Sequence, residues 1–142
     1  MREILFRGKR IDNGEWVMGN LFIPDKPDTP TQICIGTNII RITYDVIPET
    51  VGEYTGLTDK NGKKIFEGDI VHLYGGKDTS TRFINYIALV IFAHGGFCAI
   101  DGTPDDYAVC RFDFASSHNC KIIGNIYDNP ELIEDGDADE KP

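Results

Sequence analysis

The stretch Gly75-Gly76-Lys77-Asp78-Thr79-Ser80-Thr81 is where residue types first invite a chemical reading, because glycines beside a lysine and hydroxyls can cradle phosphate. A nucleotide loop of that kind needs a glycine five positions before the Gly-Lys pair and a hydroxyl after the lysine to hold magnesium. Position 71 is Val and position 78 is Asp, so the pattern fails at both ends and the segment reads as a hairpin tip. Cys98, Cys110, His118 and Cys120 fall in one region, and His118 and Cys120 would share a strand face. No Cys-x-x-Cys knuckle anchors them, so buried thiols and a loop histidine are expected rather than zinc. Asp101-Gly102-Thr103-Pro104-Asp105-Asp106 is calcium-like in composition alone, since its acids lack the alternating ligand spacing and the terminal glutamate.

Nucleophilic chemistry fares no better. No local signature ties a thiol to His72, His94 or His118. The acid pairs Glu67 and Asp69, and Asp105 and Asp106, read as ordinary loop acids, because proximity in sequence does not bring carboxylates into a pocket. The basic residues Arg2, Arg7, Lys9 and Arg10 read as a solvated strand face. The expectation is a non-enzymatic chain with no catalytic, cofactor-binding or metal-ligating residues and no cofactor.

The elements that would have to position any site are short strands. Asn13-Gly14 separates Leu5–Ile11 from Trp16–Ile23, and both turn residues accept positive φ, which predicts a tight antiparallel hairpin. Pro24, Pro27 and Pro30 mark a loop, because proline has no ladder donor. Residues 40–46 alternate apolar and polar with period two, as a strand with one wet face does. Asn61-Gly62 predicts a second hairpin between Val51–Leu57 and Lys64–Phe66. Strands then follow at Ile70–Tyr74, Phe83–Ala93, Phe97–Ile100, Ala108–Phe114 and Cys120–Tyr127, a spacing that suits a barrel or sandwich. Phe83–Ala93 is apolar on both faces, so it belongs at the centre of a sheet or against another chain. One helical turn is expected at the end, with Asn129 as N-cap and Pro130 at the first helical position.

Length and charge narrow the class. A chain of 142 residues is the size of one domain and can bury a core without staples. Its longest apolar run, Ile87–Ala93, is too short for a membrane-spanning helix, and the opening Met1–Arg7 lacks a signal-peptide core. A cytoplasmic location and four reduced thiols are therefore expected. The net charge is −9, of which −5 lies between Glu131 and Pro142. That disfavours direct nucleic-acid binding and predicts a flexible acidic tail after the helical turn.

Residues 51–71, VGEYTGLTDKNGKKIFEGDIV, carry the most specific pattern in the chain. Together with REILFRGKRIDNGEWVMGNL near the start and KIIGNIYDNPELI near the end, they resemble the YopX family of phage and prophage proteins. The resemblance implies a mainly β fold, with a small N-terminal β subdomain over 1–50 and an SH3-like barrel over 51–130, followed by the helical turn and tail over 131–142. It brings no catalytic residues, since the family's biochemical role is uncharacterised. Within the central block Gly68 suits a bulge or a close backbone approach before the next strand.

The leading functional expectation is a phage- or mobile-element-type accessory protein acting as an interaction module, its protein partner unknown. Trp16, Met18, Phe22 and Tyr54 are the candidate interaction residues. In the first hairpin Val17, Leu21 and Ile23 alternate with Trp16, Met18 and Phe22, so both faces of the ribbon need cover. Either the rest of the chain supplies it, or a second copy does, and self-association anchored on Trp16 is the favoured reading. An acidic inhibitor that mimics DNA charge, and a small hydrolase or nuclease, are the alternatives.

Overall fold

The structure, a computed structural model, describes residues 3–36, 39–74, 85–93, 95–100 and 120–133. Ten strands follow in order: β1 (Phe6–Lys9), β2 (Trp16–Phe22), β3 (Gln32–Gly36), β4 (Arg41–Asp45), β5 (Gly52–Thr58), β6 (Lys64–Phe66), β7 (Asp69–Tyr74), β8 (Asn85–Ala93), β9 (Gly96–Ile100) and β10 (Cys120–Asn125). The pairings β1–β2, β1–β5, β2–β3, β3–β4, β7–β8, β8–β9 and β7–β10 are antiparallel, and the chain is mainly β. A 3-10 turn, Pro48–Thr50, leads into β5, and one helical turn covers 131–133. The chain divides into two compact units, Met1–Gly56 and Leu57–Pro142, with the division falling inside β5.

The first unit grows from its hairpin turn. Gly14 takes φ +76°, Gly14 N–H donates to Arg10 O at 3.0 Å, and Asn13 Oδ1 accepts from Glu15 N–H at 2.9 Å. This is the backbone freedom that Asn-Gly supplies. Within this unit the strand order is β4-β3-β2-β1-β5. The run from β1 to β4 curls back on itself, so that Arg10 bridges Val46 and Ile47 N–H donates to Lys9 O at 2.8 Å. Ile33 and Val46, both fully buried, form the centre of the curl. Gly8 approaches closely there, since a Cβ on it would lie 3.1 Å from Val46 Cβ and the valine would have to shift. One face of the β1–β2 ribbon is thereby covered from within the unit, and on the other face Met18 and Phe22 stand about half exposed among the described residues.

The second unit holds a four-stranded sheet in the order β10-β7-β8-β9. The doubly apolar strand β8 is internal, paired to β7 on one side and β9 on the other. Ile65, Val71, Leu73, Ala88, Val90, Ala99 and Cys120 make its core, with Leu57 and Ile122 packed against them. Among the described residues these strands form an open antiparallel sheet and not a closed barrel, so the SH3-like barrel expected over 51–130 is not what they show. The reason is in the pairing: β10 and β9 lie at opposite ends of the order, and among the described residues no pairing joins them. A register shift between Ile122 and Gly124 bends β10 along β7.

Candidate functional site

The register of the first sheet sorts its side chains. Trp16, Met18, Asn20 and Phe22 alternate along β2 and share one face. Opposite them stand Lys9 beside Trp16, Arg7 beside Met18, Cys34 beside Asn20 and Gln32 beside Phe22. The Arg7 guanidinium lies 4.6 Å from the centre of the Trp16 ring, and the Lys9 ammonium lies 5.8 Å from it. Both distances are within cation–π range, so the indole is held in place and half-buried. Met18 and Phe22 protrude, at 48% and 50% exposure. Trp16, Met18 and Phe22 therefore lie in one row, with the tryptophan as its fixed member. Tyr54 is elsewhere. It is 8% exposed and its N–H donates to Leu5 O at 2.8 Å, so it is a core residue with no surface to offer.

The N-terminal basic residues do not form one solvated face: Arg7 and Lys9 share the Trp16 ring, and Arg10 stands apart. Arg10 leaves that face and stacks on the Tyr44 ring at 4.5 Å. Asp12 grips it in two places, with Nε to Oδ1 at 3.0 Å and Nη2 to Oδ2 at 2.7 Å. The hydrogen bond to Asp12 holds the guanidinium pKa above its usual value, and the same bond holds the Asp12 carboxyl below its own. A shallow depression of about 450 Å³ is lined by Arg10, Ile11, Asp12, Thr43, Tyr44 and Asp45. With two carboxylates against one paired guanidinium, it has no net attraction for an anion. Arg2 lies outside the described residues.

The acids of the central block are folding devices. Asp59 is 5% exposed, and its Oδ1 accepts from the N–H groups of Asn61 and Lys63, each at 2.9 Å. Its Oδ2 accepts from Ile122 N–H at 3.0 Å, which ties the Asn61-Gly62 turn to β10. Burial opposes ionisation of this carboxyl, but the Ile122, Lys63 and Asn61 amides together outweigh it, and the pKa falls below the ordinary value. Asp69, 2% exposed, accepts from Phe66 N–H at 2.8 Å across the Gly68 turn. Asp69 is thus not the ordinary loop acid expected from the sequence, and Glu67, read with it as a loop acid, is half-buried on that turn. Asp59 escaped the reading of the sequence, although its place two residues before Asn61 is a turn signal that could have found it.

The thiols are separated. Cys120 lies in the core of the second sheet, while Cys98 pairs with Ile91 on the other face, at the far end of the strand order. Burial pushes the Cys120 thiol up to about 12, with Asp59 and Asp69 adding to it, so it is no nucleophile near neutral pH. Cys34 is half-buried on the first sheet. Among the described residues no group of three or more His, Cys, Asp or Glu is placed to hold a metal ion. No helix among them is long and apolar enough to cross a membrane. The Gly75–Thr81 and Asp101–Asp106 segments, His94, Cys110, His118 and residues 134–142 lie outside the described residues.

The C-terminal block is also explained by its hydrogen bonds. Asn125 Oδ1 accepts from Tyr127 N–H at 3.0 Å and Asp128 N–H at 2.8 Å. Asn129 does not cap the helical turn with its side chain. Its Oδ1 turns back to Asn125 N–H at 3.2 Å, and the close approach of Gly124 makes this possible, since a Cβ there would lie 2.6 Å from that oxygen.

Comparison with known proteins agrees with this architecture. The model of the family described as YopX protein matches residues 5–134. The crystal structure of protein EF1440 from Enterococcus faecalis is similar to this chain, with a TM-score of 0.54 and 23% identity. The similarity covers 94% of this chain and 99% of that one, and at this identity it speaks for the fold alone. No curated protein matches.

Proposed function

The chain belongs to the YopX family, and from its geometry we propose that it is a non-enzymatic protein-interaction module whose docking surface is the open face of the N-terminal sheet. The observation that carries this reading is the row Trp16, Met18 and Phe22, in which two apolar side chains stand about half exposed beside an indole already held by Arg7 and Lys9. A fixed aromatic flanked by a flexible thioether and a phenyl ring suits a partner's apolar side chains, because little side-chain entropy remains to be lost at the tryptophan. The use of Asp59 and Asp69 as backbone acceptors supports a non-enzymatic reading, since neither is placed as a general acid or base. An SH3-like course for the second unit, and a cytoplasmic, phage- or prophage-borne setting, belong to the same reading and rest on the family resemblance.

Affinity capture tests it, using the wild type, the double variant Met18→Ser/Phe22→Ser, and Lys121→Ser as a surface control on the other unit. A protein retained by the wild type and by Lys121→Ser but lost from the double variant is the expected result. An identical set of retained proteins for all three chains, or none for any, overturns the docking surface.

A further inference from the structure

We infer that two copies of the chain pair edge to edge through β4, in an antiparallel register that places Ile42 opposite Ile42 across a two-fold axis. This goes beyond the docking reading and uses different residues. The strand β4 ends the first sheet's order, with β3 on its inner side. Val46 N–H donates to Thr31 O at 3.0 Å, which fixes the alternation: the main-chain groups of Ile42, Tyr44 and Val46 face β3. Those of Arg41, Thr43 and Asp45 therefore face outward. Asp45 O already accepts from Ile11 N–H at 3.0 Å, so the outer edge is occupied from Asp45 onward. Arg41 and Thr43 are left, and among the described residues no strand lies beyond them.

An edge of this kind is usually blunted by proline, a bulge or a central charge. The middle of β4, Ile42-Thr43-Tyr44, has none of these. Its neighbourhood is apolar as well: Ile42 is 51% exposed, its cross-strand partner Ile35 is 40% exposed, and Ile40 is 70% exposed.

The pattern of the strand selects both the occupant and the register. Pairing must set outward-facing residues opposite outward-facing residues, which leaves three choices near the centre. Thr43 opposite Thr43 would drive the second copy's Arg41, a residue of β4 itself, into the space held by Ile11, whereas with Ile42 opposite Ile42 the residue that comes level with Asp45 is Ile39, which lies beyond the strand at a bend where the chain can turn away. Arg41 opposite Arg41 would oppose like charges. With Ile42 opposite Ile42, each Arg41 faces the second copy's Thr43, and the two exchange N–H···O bonds. The second copy's Asp45 then lies diagonally from Arg41 on the same face, within reach of a long side chain. Asp45 is exposed and takes one hydrogen bond, from Gln32 Nε2 at 2.9 Å, so it can accept another. On the opposite face the two Ile42 side chains meet at the axis, each beside its cross-strand partner Ile35, and these exposed isoleucines join into one covered stripe. The interface is self-complementary in charge and in apolar contact, as a two-fold contact requires.

Sedimentation velocity over a dilution series is the first measurement, and a concentration-dependent dimer is expected. Ile42→Lys sets two ammonium groups opposite each other at the axis, and because residue 42 is exposed the fold should survive. Its dimer should be weaker by about tenfold or more. Ile42→Cys should crosslink to itself on mild oxidation, since opposed residues in a non-hydrogen-bonded pair have their Cα atoms about 4.5 Å apart, within disulfide range. Thr43→Cys, which faces Arg41 and not itself, should not. Met18→Ser/Phe22→Ser should leave the dimer intact, so failure here and failure of the docking surface are separable. A wild type that stays monomeric throughout overturns the inference. So does a dimer that neither weakens with Ile42→Lys nor crosslinks with Ile42→Cys.

Discussion

Replacing Asp59 tests most directly whether the central sequence block encodes structure. Three backbone amides converge on its carboxylate, from Asn61 and Lys63 in the turn and from Ile122 on β10. Hydrogen bonds to a charged acceptor contribute about 1.5–3 kcal/mol each, and deletion strands the donors, though such terms do not add. Asp59→Ala should therefore destabilise the chain by about 4 kcal/mol. Asp59→Asn should cost less, about 2 kcal/mol, because the amide oxygen can keep the two turn donors while its NH2 opposes Ile122 N–H. The sign with pH follows from the direction of the shift. A carboxyl whose pKa is lowered in the folded state stabilises above its unfolded value of about 3.9, and loses that contribution as pH falls through the folded value. The gap between wild type and Asp59→Asn should thus be full at neutral pH and shrink toward pH 2–3. Urea titration followed by far-UV circular dichroism measures the gap. Trp16, the single tryptophan, reports separately on the first unit by fluorescence. Amide exchange at Asn61, Lys63 and Ile122 should rise together in Asp59→Ala, and chiefly at Ile122 in Asp59→Asn. A gap below about 0.5 kcal/mol, the usual range for surface changes, or one that does not move with pH, would refute the clamp.

Cys120, whose pKa is raised to about 12, keeps its proton when the unfolded chain has lost its own, so its contribution falls as pH rises from near 9 toward 12. The difference in stability between wild type and Cys120→Ala should change by about 1.4 kcal/mol per pH unit in that window, and iodoacetamide should label Cys120 only on unfolding. At Gly19 an added Cβ would lie 2.3 Å from Cys34 O, so Gly19→Ala should cost about 2–3 kcal/mol in thermal denaturation. Gly14→Ala meets no neighbour but forces φ +76° on alanine, and should cost nearer 1 kcal/mol. Asn125→Ala deprives the Tyr127 and Asp128 amides of their acceptor, and a loss of about 1–2 kcal/mol is expected in the same assay.

Local chemistry was legible in the chain because its causes are local. Asn13-Gly14 and Asn61-Gly62 reverse the backbone since glycine reaches positive φ at no steric cost, and both hairpins form where those pairs stand. The double-sided apolarity of β8 placed it inside a sheet, and no burial on a single face would have required it. The YopX blocks carried the family, and the structure explains what they encode: the Asp59 clamp, the Gly68–Asp69 turn and the Asn125–Asn129 loop.

What the tertiary structure alone decided depends on residues far apart in sequence. Trp16, Met18, Phe22 and Tyr54 look alike as apolar residues in strands, but the β1–β2 register leaves Met18 and Phe22 in solvent while Tyr54 is buried. The curl that brings Val46 to Gly8 spans 38 positions, and no periodicity within either strand encodes it. Ile122 reaches the Asp59 carboxylate across 63 positions, so the charged acceptor and its farthest donor become partners only when β10 docks on β7. The outer edge of β4, likewise, is taken up at Asp45 by Ile11, and among the described residues no strand continues along Arg41 and Thr43. Burial and charge pairing are set by which strands end up side by side, and that choice belongs to the whole chain.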